Sequence, residues 1–92
     1  MLENCETLNN QAILYAQKGE YAEAIACFKR AIVVEKQNYL LWFNLGVTYR
    51  DAGHLDSAIE CLRKAYELNE TDRDTLETLA LLSLSLEAYD DA

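Results

Sequence analysis

Apolar residues recur along this chain at helical intervals, with polar residues filling the faces between them. Leu8, Ala12 and Tyr15 share one face of a first segment, and Tyr21, Ala24, Ile25, Phe28, Ala31 and Ile32 share one face of a second. Steps of three and four residues are those of a helix packed on one side. The whole order then returns 34 residues later. Leu8, Trp42 and Leu76 fall in register, followed by Ala12, Gly46 and Ala80, then Tyr15 and Tyr49, then Gly19 and Gly53. Tyr21, Leu55 and Tyr89 align next, as do Ala24, Ala58 and Ala92, Ile25 and Ile59, Phe28 and Leu62, and Ala31 and Ala65. A fixed period of this length marks stacked supersecondary units, none of which buries its apolar face alone.

Each period predicts two helices, and the spacing places helices over residues 4–17, 21–35, 39–52, 55–69 and 73–87. Gly19 and Gly53 supply the permissive backbone needed where a first helix stops and the chain turns back. Asn38 is suited to cap the third helix, and Thr71 with Asp74 reads as a capping-box variant ahead of the fifth. Small side chains at Ala12, Gly46 and Ala80 let a partner helix approach, and Ala24, Ala58 and Ala92 do the same from the other side. Large residues fill the spaces between, so Trp42→Ala is expected to cost the ~3–5 kcal/mol of a core truncation.

Composition narrows this to an all-α protein. Proline is absent, there are three glycines, and 51% of the 92 residues are apolar against 26% charged, which is the make-up of one folded domain and not of a disordered chain. A net charge of −8 repels phosphate backbones and anionic lipid, which argues against nucleic acid and membrane surfaces as partners. Acid gathers toward the end, where Asp72, Asp74, Glu77, Glu87, Asp90 and Asp91 face a single Arg73. No stretch approaches the ~20 apolar residues of a membrane span. Cys5, Cys27 and Cys61 form no CxxC pair, and an odd count fits a reducing, cytoplasmic setting better than a disulfide framework.

Catalytic chemistry is thinly supplied. His54, the only histidine, falls in a turn beside Gly53, where a solvated role outweighs acid–base work. Cys27 and Cys61 are repeat equivalents on second helices, which favours packing over a nucleophile or a metal pair. There is no glycine-rich phosphate loop, and no cofactor or metal is expected.

The run Trp42-x-x-Leu45-Gly46-x-x-Tyr49, continued by Ala58, Leu62 and Ala65, resembles the tetratricopeptide repeat signature. The first period fits through Tyr15, Ala24, Phe28 and Ala31, with Leu8, Gln11 and Ala12 in place of Trp42, Leu45 and Gly46. Lys36 and Glu70 stand where the family's terminal proline belongs, which predicts a more continuous helical link between repeats. The resemblance spans nearly the whole chain as a single domain, with repeat 1 at 5–38, repeat 2 at 39–72 and a partial repeat 3 at 73–92. It implies tandem antiparallel helix pairs stacked as a right-handed superhelical solenoid of about two and a half repeats. The third period stops where a sixth helix is expected, as in a fragment of a longer array. The face carrying Leu81, Leu82, Leu84 and Leu86 would then lack its cover and be open to self-association.

In proteins of this resemblance the first helix of each pair lines a concave face that holds a segment of another protein. The expectation is a non-enzymatic protein–protein interaction module, with a self-assembly element that oligomerises through the incomplete third repeat as the competing reading. By helical phase the groove carries Asn9, Ile13, Leu40, Phe43, Asn44, Val47, Arg50, Asp51, Glu77 and Leu81. The apolar members either mark an interaction surface or pack against the next helix. A subclass of the family grips a C-terminal carboxylate with lysines, arginine and asparagines. Only Asn44 matches that set, because Asn9, Ile13, Asp74 and Thr78 occupy its other places. An apolar or mixed protein or peptide partner is expected instead, its direction fixed by Arg50 and Asp51.

Overall fold

The structure, a computed structural model, describes residues 4–90, with side chains as far as Ser85. Five helices follow in order: α1 (Cys5–Gln17), α2 (Tyr21–Val34), α3 (Tyr39–Asp51), α4 (Leu55–Leu68) and α5 (Arg73–Asp90). There is no strand among the described residues. Each helix packs on its neighbours in the chain, so the molecule is an elongated all-α solenoid measuring 50 × 29 × 17 Å.

The turn inside each pair is built in the same way twice. Gly19 and Gly53 take φ of +79° and +89°, the left-handed region that glycine enters without penalty. The next residue then donates backward over the turn, Glu20 N–H to the Tyr15 carbonyl at 2.9 Å and His54 N–H to the Tyr49 carbonyl at 2.8 Å. These bonds satisfy carbonyls that a helix end leaves open.

The links between pairs are sharper than the missing prolines suggest. α2 stops at Val34 and α4 at Leu68, because Glu35 and Asn69 leave helical backbone angles (φ −130° and −148°). The next helix then begins on a side-chain cap. Asn38 accepts from Leu40 N–H at 3.1 Å, just as Asn4 accepts from Thr7 N–H at 2.7 Å ahead of α1. For α5 the cap is Asp72, not Thr71 with Asp74. Asp72 accepts the Thr75 N–H at 3.0 Å and the Thr75 hydroxyl at 2.6 Å, while the Thr71 hydroxyl donates to Asn69 instead.

Small residues set how closely helices approach. Ala12, Ala24, Ala31, Ala58 and Ala65 are fully buried, with Leu8, Phe28 and Leu62 filling the spaces between them. Trp42 departs from expectation: it is only half-buried at the edge of this core, and its indole N–H turns outward to the Lys36 carbonyl at 3.1 Å. Leu76 and Ala80, aligned with core positions, are exposed, Leu76 by 50%. The reason is that α5 buries its other face on α4 through Thr75 and Leu82, and no described helix covers the face bearing Leu76 and Ala80. α5 also runs past residue 87, where Glu87 replaces the glycine of the earlier periods. The side chains of Leu86 and Tyr89, and all of Ala92, lie outside the described residues.

Candidate functional site

α1 and α3 stand side by side on α2, and the space between them is a cleft of about 270 Å³. Ile13, Ala16 and Gln17 come from α1, Phe43, Asn44, Val47, Thr48 and Asp51 from α3, and Phe28 of α2 closes the floor. Helical phase explains this wall, since residues 43, 47 and 51 recur at four-residue steps on one face of α3. Phe28 is 1% exposed, whereas Ile13, Phe43, Asn44 and Val47 are half-buried. Their outer parts remain available to a ligand.

Polar groups frame the apolar wall. The Asn44 side-chain amide donates to the Asn9 side-chain oxygen at 3.2 Å, joining α3 to α1. Thr48, buried, donates its hydroxyl to the Asn44 carbonyl one turn back at 2.8 Å, which satisfies the hydroxyl within its own helix. Asp51 and Arg50 form an exposed ion pair of 3.2 Å at the end of α3. Among the described residues no lysine or arginine lines the cleft, and the carboxylate there is that of Asp51.

Of the residues expected in the groove, the cleft brings together Ile13, Phe43, Asn44, Val47 and Asp51, with Asn9 bonded to its rim. Arg50 touches the site only through Asp51. Leu40, 50% exposed, borders a separate cavity of about 180 Å³ beside Cys5, Glu35 and Asn38. Glu77 and Leu81 lie exposed on α5, outside the cleft. Sequence reasoning missed Gln17, Phe28 and Thr48 as lining residues. Phe28 carried the signal of a core position and serves both purposes.

A second cavity of about 210 Å³ lies on the opposite face of α3, among Ile32, Trp42, Leu45, Tyr49 and Cys61, with Lys29 and Glu60 at its margin. Burial first, then the Glu60 charge, with Lys29 opposing, pushes the Cys61 thiol up to about 11. Burial, with Glu35, raises Cys5 as well. All three cysteines are free and buried, so Cys5 and Cys61 are neutral thiols and weak nucleophiles. His54 is exposed and meets the Tyr49 ring edge-on at 6.0 Å. Among the described residues no three acidic, cysteine or histidine side chains are placed to hold a metal, and no helix is long and apolar enough to cross a membrane.

Comparison with known proteins agrees with this architecture. The chain is 29% identical over 83 residues to a probable UDP-N-acetylglucosamine–peptide N-acetylglucosaminyltransferase SPINDLY of Hordeum vulgare, covering 90% of this chain and 9% of that protein. It is 28% identical over 80 residues to the peroxisomal targeting signal receptor of Kluyveromyces lactis, covering 87% of this chain and 14% of the receptor. The chain thus spans only a small part of these curated relatives. Among solved structures, the second TPR of Spaghetti (RPAP3) bound to the HSP90 peptide SRMEEVD superposes with a TM-score of 0.87 at 18% identity, over 96% of this chain and 82% of that one. At that identity the likeness is one of fold. A family model described as tetratricopeptide repeat matches residues 3–71, which is most of the chain. With helix pairs repeating at 34 residues and glycine turns at Gly19 and Gly53, this chain belongs to the tetratricopeptide repeat family.

Proposed function

We propose that this chain is a protein-interaction module whose α1–α3 cleft seats an apolar side chain of a partner peptide, with a basic residue of that peptide drawn to Asp51. The observation that carries the reading is the cleft itself, a concave apolar wall of Ile13, Phe43 and Val47 framed by Asn44, Gln17 and Asp51. Concave apolar sites with a few fixed polar groups are the usual form of a binding pocket. Charge selects among partners. The chain carries −8 overall, and among the described residues the only charged group lining the cleft is acidic, so a basic segment is attracted and an acidic one repelled.

The solved relative that holds SRMEEVD binds a peptide rich in acid. Transfer of that specificity is opposed by the residues here, since Asp74 and Thr78 on α5 and Ile13 in the cleft provide no cationic cradle for a carboxylate. The same fold is therefore read as carrying a different preference. No catalytic step is part of the proposal.

Selection of a displayed library of short random peptides against the folded chain tests this. Enriched sequences are expected to pair an aromatic or aliphatic residue with a nearby lysine or arginine and to lose binding to Phe43→Glu. Enrichment of acidic peptides, or equal binding to Phe43→Glu, would overturn it.

A further inference from the structure

The face of α5 turned away from α4 carries Leu76, Ala80 and Leu84 at four-residue steps. All three are exposed, the leucines by 50% and 62%. The counterparts of Ala80 one and two periods earlier are closed. Ala12 is fully buried, and a β-carbon at Gly46 would already press on Leu62 of α4. Ala80 is thus the small position at which, twice in this chain, another helix makes its closest approach.

The order of side chains around Ala80 reads the same in both directions. A leucine stands four residues before it and another four residues after. Such a stripe is complementary to itself when two copies run antiparallel, with Leu76 of one against Leu84 of the other and Ala80 against Ala80 on the twofold axis. We infer that the open face of α5 is covered by α5 of a second copy of this chain, in a twofold antiparallel pair. This surface is distinct from the α1–α3 cleft and does not depend on what that cleft binds.

Charge fixes the direction. A parallel pair would set Glu77 beside its own equivalent, whereas the antiparallel register sets Glu77 against Ser83 of the second copy and about 9 Å along the axis from its equivalent. Each copy carries −8, so salt that screens this repulsion strengthens the pair. Salt would weaken a basic helix docked on the same face. One helix face is small beside the ~800 Å² per partner of a stable complex, so the pair forms only at high concentration.

Sedimentation equilibrium over about two decades of concentration tests the inference. The mass is expected to rise from the 10.5 kDa of one chain toward twice that value, further at high salt, and to stay monomeric in Leu84→Glu with helical content unchanged. Ala80→Cys is expected to form a disulfide-linked dimer under mild oxidation, whereas Gln11→Cys, exposed on α1, is not. A monomer at every concentration, a dimer that survives Leu84→Glu or dissolves in salt, or an Ala80→Cys variant that fails to cross-link would overturn it.

Discussion

A β-carbon placed on Gly46 would stand 2.8 Å from Leu62 Cγ and 3.2 Å from the Ala58 carbonyl oxygen. Leu62 is fully buried and is met at its branch point, so it has no free end to swing aside. Gly46→Ala brings a helix-propensity gain of about 1 kcal/mol against overpacking of roughly 1–3 kcal/mol. The expected net loss is about 1 kcal/mol, several degrees in Tm for a domain of this size. Thermal unfolding followed by circular dichroism measures it. Gly19→Ala also destabilises, for a different reason: nothing lies within 4 Å of the added carbon, but φ is +79°.

Trp42 sits at the core's edge with its indole N–H on the Lys36 carbonyl. Its truncation should therefore fall short of a full core deletion. Trp42→Ala is expected to cost about 2 kcal/mol, and Trp42→Phe, which keeps a ring and loses one exposed hydrogen bond, under about 1 kcal/mol. Urea denaturation midpoints separate the two.

The two hydrogen bonds from Thr75, hydroxyl first and backbone second, hold the Asp72 carboxyl below its ordinary value near 3.8. A depressed carboxylate contributes stability that is whole above its unfolded pKa and lost as pH falls through the folded one. Asp72→Ala is expected to lower Tm at neutral pH and to approach the wild-type protein as pH falls below 3.8 and through the depressed folded value. A gap that persists undiminished in acid would show that the cap does not act through its charge.

The alkaline side is set by Cys61. Its folded thiol ionises near 11 against an ordinary value of 9.0, so its contribution to stability is whole below pH ~9 and disappears as pH rises toward about 11. Denaturation midpoints of Cys61→Ala should decline less steeply over that window than those of the wild-type protein. Alkylation of the native protein by iodoacetamide at neutral pH is expected to be slow.

Most of the architecture was legible because it is local and periodic. The 34-residue register, the turns at Gly19 and Gly53 and the cap at Asn38 each depend on residue type and spacing. What escaped was what neighbours decide. Leu76 and Ala80 match buried positions by register, yet exposure depends on whether another helix arrives to cover them. Trp42 carries the volume of a core residue, but its N–H needs an acceptor and found one at the surface. The start of α5 offered several capping side chains in a row, and backbone geometry chose Asp72. Along α3, four-residue phase put Phe43, Val47 and Asp51 on one wall but counted Leu40 and Arg50 with them and left out Thr48, while Phe28 reached the cleft from beneath, across a helix pair that no single-helix pattern describes.

Pocket occupation is best tested by recording methyl and aromatic NMR spectra of the folded chain while adding a short peptide that carries one aromatic residue followed by lysines. Saturable shifts centred on Ile13, Phe43 and Val47, with Leu76 and Leu84 unmoved, are the predicted result. Shifts confined to Ile32, Leu45 and the far face of α3, or none at saturating peptide, would contradict it.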